Sequence, residues 1–116
     1  MDANAFWSLT ERAALQIRAG RFQKAIPLLE RSLVVDVRPG RAVLSWLWLA
    51  LAKQHMGNAA EARRWLDKAV NWLDQQGDRM PRDDPAMGSH LHNWLEAQVL
   101  RKEAEANLTK RDNGGR

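Results

Sequence analysis

GRFQKAIPLLERSL, residues 20–33, and GNAAEARRWLDKAV, residues 57–70, decide the fold, because the second repeats the plan of the first. Gly57 falls over Gly20 at an offset of 37 residues (57 minus 20). Ala25 then falls on Ala62, Leu29 on Leu66, Glu30 on Asp67, Arg31 on Lys68 and Leu33 on Val70. In each stretch a glycine turn opens an amphipathic helix whose alanine faces the helix before it. Alanine suits that place because a larger side chain would hold two helix axes apart. A unit of this kind cannot bury its apolar face alone, so a repeated unit predicts stacked helix pairs.

Working outward, a first helix capped by Asn4 or Ser8 carries Leu9, Ala13, Ala14 and Ile17 and ends at Gly20. A second runs from about Phe22 to Asp36, with Pro27 in its first turn or so, where a missing N–H is tolerated. Arg38-Pro39-Gly40 breaks the chain, a third helix covers Ala42 to Met56, and a fourth covers Ala59 to Gln75. Prolines, glycine and charges make residues 77–89 a loop. Ser89 reads as the cap of a last helix over residues 90–108, with Leu91, Trp94, Leu95, Gln98, Leu100 or Val99, and Ala104 along its inner stripe. Residues 111–116 form a polar, glycine-rich tail expected to fray. The chain therefore divides into hairpin 1 (4–36), hairpin 2 (42–75), the loop and a closing helix, one domain over residues 1–110.

Composition narrows the function. Hydrophobic residues are 45% of the 116 and charged residues 28%, which fits a globular chain. There is no cysteine, so disulfides, thiolate catalysis and cysteine-based zinc sites are excluded. No apolar run approaches the roughly 20 residues of a membrane span. Met1 to Leu9 has an acid and no basic region, unlike a secretory signal, so the reading is cytoplasmic with no membrane partner. Residues 1–57 hold eight Lys/Arg against four Asp/Glu, whereas residues 58–116 hold ten of each. That excess, Arg12, Arg18, Arg21, Lys24, Arg31, Arg38 and Arg41 among it, is scattered at helix-surface spacing. It reads as a solvated face rather than a nucleic-acid footprint.

The repeat resembles the tetratricopeptide repeat (TPR) family. Hairpin 2 carries the family's pattern as Trp46, Leu49 and Ala50, then Gly57, Ala62, Leu66 and Ala69, with Lys53 where an aromatic is usual. Hairpin 1 matches at Leu9, Ala13, Gly20, Phe22, Ala25 and Leu29 and departs at Arg12 and Ser32. The likeness spans about Phe6 to Leu73, and LWLALAKQHMGNAAEARRWLDKAVNWLD is similar to TPR segments attached to bacterial serine/threonine kinases and WD-repeat proteins. What the resemblance implies is an all-α, right-handed α-α superhelix of two TPR-like hairpins plus a C-terminal capping helix. It also implies a protein–protein interaction module, or scaffold, with a concave peptide-binding groove.

No residue set points to catalysis or a cofactor. His90 and His92 fall about 200° apart on a helix, His55 has no second ligand at i+4, and zinc needs three or four convergent donors. Asp83 and Asp84 are adjacent in the loop, Glu103 and Glu105 diverge, and no phosphate-binding or nucleophile-elbow motif occurs. The protein is read as no enzyme, with neither metal nor cofactor.

The third helix is apolar around its circumference, from Val43 through Ala52. By the family resemblance its concave strip holds Leu44, Leu47, Trp48, Leu51, Gln54 and His55, with Trp7, Thr10, Ala14, Ile17 and Arg18 from the first helix. Two readings stand: a core strip covered by the last helix, or an open partner-binding groove with a basic edge at Arg18 and Arg21. The second is the expectation, since contiguous exposed apolar surface marks interaction sites. Thr10, Ala14 and Leu47 occupy the places where some relatives clamp a C-terminal carboxylate, which speaks against that activity. Homodimerisation is the alternative, because six tryptophans are many for two hairpins; Trp65 is its candidate contact and Trp72 reads as inter-helix packing.

Overall fold

Gly20 and Gly57 adopt φ of +80° and +83°, and the chain turns the same way at both. At the first turn Gly20 N–H donates to the Ile17 carbonyl (3.0 Å) and Arg21 N–H to the Gln16 carbonyl (2.7 Å). At the second, Gly57 N–H donates to Gln54 (3.1 Å) and Asn58 N–H to Lys53 (2.9 Å). Both are Schellman closures, in which a left-handed residue lets the chain satisfy the last helical carbonyls. The repeat seen in the residues is thus a repeat of backbone geometry. The computed structural model describes residues 3–36, 39–76 and 91–114, and their side chains over 5–36, 39–75 and 95–108.

The architecture is all-α: five helices and no strand among the described residues. They are α1 (Ala3–Arg18), α2 (Phe22–Val35), α3 (Pro39–His55), α4 (Ala59–Gln76) and α5 (Leu91–Gly114). α1 pairs with α2 and α3 with α4, while α3 packs on all four other helices. That position explains its composition, since a helix apolar on every side is buried on every side. Every residue from Ala42 to Ala52 is buried. α1, α3 and α5 run in the same direction: Thr10 meets Ser45 and Arg18 meets Trp48, while Gln54 bonds to Ala104 and Asn107 at the later turns of α5. α2 opposes α3, with Ser32 beside Ser45 and Phe22 beside His55.

Small residues permit these close approaches. Ala25 and Ala62, the paired alanines of the repeat, are fully buried, as are Ala50 and Ala69, with Leu29, Leu49, Leu66 and Trp46 around them. Ser32, a departure from the family pattern, belongs to a buried hydroxyl cluster. Ser32 contacts Ser45 at 2.8 Å, Ser45 contacts Thr10 at 3.2 Å, and all three are under 5% exposed. Ser32 also donates to the Leu29 carbonyl and Thr10 to the Phe6 carbonyl. Each outer hydroxyl therefore has a local acceptor, and the cluster joins α1, α2 and α3 without an unmet donor.

Several boundaries differ from the sequence reading. α1 begins at Ala3, so Asn4 and Ser8 lie inside it rather than capping it. Pro27 is the sixth residue of α2, beyond the first turn. α3 starts at Pro39 rather than Ala42, because proline at a first helical position gives up only an N–H that has no helical partner. Arg41 secures that start on Asp36 at 2.8 Å. α4 is capped by Asn58, whose side-chain oxygen accepts from Glu61 N–H and whose amide donates to the Glu61 carboxylate. α5 continues past Leu108 to Gly114, taking in most of the expected tail. The loop at 77–89 with Asp83 and Asp84, the Ser89 cap, His90, residues 37–38 and 115–116, and the side chains of Leu91, His92 and Trp94 lie outside what is described.

Candidate binding groove

α5 decides the fate of the strip on α3. Ala97, Leu100 and Ala104 form its buried edge, and two of the three being alanine lets it lie close over α3. Leu47 and Leu51 are wholly inaccessible, Ile17 is 5% exposed, and Gln54 is 2% exposed. The Gln54 amide donates to the Ala104 carbonyl at 2.9 Å, and its oxygen accepts from Asn107 at 3.1 Å. The expectation of an open strip is therefore corrected: Thr10, Ile17, Leu44, Leu47, Trp48, Leu51 and Gln54 are all buried, at 5% exposure or less, and Gln54 is bonded to the last helix. His55 is also displaced from the groove, stacked on the Phe22 ring at 4.8 Å on α2.

At the other end Leu44 and Trp48 are buried too, at 2% and 5% exposure, but they floor a hollow whose walls are more open. α1 and α5 have no backbone packing between them among the described residues and face each other across α3. Among the described residues, Trp7, Thr10, Glu11 and Ala14 of α1, Leu44 and Trp48 of α3 and Glu96 of α5 line a pocket of about 140 Å³. It brings together Trp7, Thr10, Ala14, Leu44 and Trp48 from the expected strip and separates them from Ile17, Leu47, Leu51, Gln54 and His55. Glu11 and Glu96 are the residues that sequence reasoning missed. Glu11 had a signal, standing one turn beyond Trp7 and on the same helix face. Glu96 had none, since its place depends on where α5 docks.

Arg18 stands two turns beyond Glu11 on α1. Its guanidinium bonds both carboxylate oxygens of Glu103, at 2.8 and 2.9 Å, and lies 5.0 Å from the Trp48 ring centroid. Hydrogen bonds from Arg18 hold the Glu103 carboxyl below its ordinary range; burial opposes them, and the charges of Arg18 and His55 add to the lowering. The same bonds hold the Arg18 pKa above its ordinary value, against the effect of burial. The basic edge expected at Arg18 is thus a tie between α1 and α5 rather than a free cation.

A second hollow, of about 280 Å³, lies at Glu61, Arg64, Trp65 and Lys68 of α4. Its groups are largely engaged. Glu61 accepts from Lys53 and Asn58, and Lys68 stands 4.9 Å from the Trp46 ring and 5.9 Å from the Trp65 ring. Trp65 and Trp72 are both half-buried against the core. Among the described residues no three His, Cys, Asp or Glu converge to hold a metal, and no helix is long and apolar enough to cross a membrane. Comparison with protein-family models, with curated proteins and with solved structures finds no match to the chain.

Proposed function

We propose that the chain is a tetratricopeptide-like interaction module that binds a peptide segment of a partner protein, rather than an enzyme. Binding is assigned to the pocket between α1 and α5. The observation that carries this reading is that pocket, a hollow floored by the buried Leu44 and Trp48 and walled by Trp7, Glu11 and Ala14 of α1 and Glu96 of α5. The repeated glycine turns and the common direction of α1, α3 and α5 support the family likeness. Selecting a random displayed peptide library on the 116-residue chain tests the reading. Enriched peptides are expected to lose binding to Ala14→Phe, which fills the hollow from a half-buried position while circular dichroism stays unchanged. Peptides that bind that variant as well as the parent would place the site elsewhere.

Self-association is the second reading, favoured by Leu95 and Val99. They stand one turn apart on the outward side of α5 at 52% and 61% exposure. Sedimentation equilibrium separates it, since a dimer should dissociate on Val99→Asp and a monomer at all concentrations rules it out.

A further inference from the structure

We infer that the pocket between α1 and α5 receives a lysine or arginine side chain of the bound peptide, an inference that rests on the groove reading above. Four features converge on that chemistry. Glu11 and Glu96 reach the pocket from opposite helices, and neither has an ion pair or hydrogen bond among the described residues. The neighbouring cation cannot neutralise them, because both Arg18 nitrogens that face α5 are bonded to Glu103. Half-buried Trp7 supplies the accessible aromatic surface, with the buried Trp48 beneath it, and aromatic faces attract ammonium and guanidinium groups. Trp48 already accepts one such group, the Arg18 guanidinium.

The fourth feature selects a peptide over a free amine. Trp48 is 5% exposed, and its indole Nε1 is buried with no acceptor among the described residues. A buried donor of this kind calls for a partner. The donor is closed off in the free chain, so binding must part the pocket's walls before a peptide backbone carbonyl, an acceptor that the protonated side chain cannot provide, reaches it. An anionic ligand is disfavoured by the two carboxylates, and a purely apolar one would leave them facing it without a counter-charge.

The test titrates the intact chain with the blocked pentapeptide Ac-Ala-Ala-Lys-Ala-Ala-NH2, its norleucine and glutamate analogues, and n-butylammonium chloride. The readout is the ¹H–¹⁵N indole resonances of Trp7 and Trp48, assigned with Trp7→Phe and Trp48→Phe. The lysine peptide is expected to bind about tenfold more tightly than its norleucine analogue, the fold-change that two exposed ion pairs and a cation–π contact supply together. The glutamate analogue should bind more weakly still. That preference should disappear in the double variant Glu11→Gln, Glu96→Gln, and shrink in about 0.5 M NaCl, where the Debye length falls to roughly 4 Å.

Equal binding of the norleucine peptide, or undiminished lysine binding by the double variant, would overturn the inference. Butylammonium binding as tightly as the lysine peptide would overturn the peptide part of it. Peptides from the library that are lost on Ala14→Phe but kept by the double variant leave the groove reading standing and sink only the cation. Indifference to both substitutions sinks the two together.

Discussion

Leu47 offers the sharpest test of where α5 sits, because the sequence made it a groove residue and the structure makes it core. It lies mid-way along α3 with no accessible surface, under the helix that carries Leu100 and Ala104. Leu47→Ala removes three buried carbons, worth about 2.5 kcal/mol by transfer. The unfilled space adds to this, for a total of about 3–4 kcal/mol. Leu47→Asp goes further, since it places a carboxylate where no cation or donor waits, and that loss rivals the whole stability of a small domain, roughly 5–15 kcal/mol. Val99→Asp is the control: on the outward side of α5, it should change stability by no more than about 0.5 kcal/mol. Urea unfolding followed by circular dichroism measures all three. A Leu47→Asp protein with the parent's unfolding midpoint would refute the argument, for it would mean that α5 does not rest on α3 in solution.

Glu103→Gln should destabilise the chain at neutral pH by about 0.5–1 kcal/mol, the worth of a solvent-accessible ion pair. Because Arg18 depresses the Glu103 pKa below its unfolded value of 4.5, the parent's advantage is fully present above that pH and is lost as pH falls through the lower folded value. Urea midpoints of the two proteins should therefore converge as pH falls below 4.5 and through the lower folded value, and a constant gap would show that the tie contributes nothing. Ser45→Ala removes the hub of the hydroxyl cluster but leaves Thr10 and Ser32 their backbone acceptors, so a loss of about 1 kcal/mol is expected in the same assay. A loss several times larger would mean that those local bonds do not satisfy the two hydroxyls. Gly57→Ala meets no atom within 4 Å, so its cost is conformational, about 1–2 kcal/mol for a left-handed residue. Gly57→Asn should lose less than the alanine variant, and the reverse order would contradict a backbone origin.

Local chemistry made much of the fold legible. Gly20 and Gly57 announce turns because a left-handed residue is needed there, and Ala25 and Ala62 announce close helices because nothing larger fits. The apolar circumference of α3 announced burial on every side. What could not be read was which neighbour did the burying. The inner edge of α5 is Ala97, Leu100 and Ala104, a weak stripe beside the exposed Leu95 and Val99, so its apolar pattern does not say which side docks. Leu95, placed on that stripe by sequence, is more than half exposed. The groove was misjudged for the same reason: Leu47 and Gln54 look alike whether a partner or the chain's own last helix covers them. Ser32 and Asn58 were passed over because their roles, a hydroxyl contact from α2 to α3 and a cap for α4, depend on neighbours rather than on period.

The pocket exists because one edge of α5 meets two different answers on α1. Glu96 and Glu103 are seven residues apart, two turns of helix, and so share an edge. Opposite Glu103, α1 presents Arg18, and the two helices are tied by a bidentate ion pair. Opposite Glu96, α1 presents Glu11 and Trp7, and among the described residues nothing ties. If this difference keeps the pocket open, Glu11→Arg should close it by supplying at Glu96 what Arg18 supplies at Glu103. The substitution is exposed and helix-compatible, so it should raise stability slightly, by about 0.5 kcal/mol, while lysine-peptide binding is lost. A merely disruptive change would lower both together. Stability gained with binding retained would show that Glu11 is remote from the ligand; stability gained with binding lost is the outcome that only a charge-gated pocket produces.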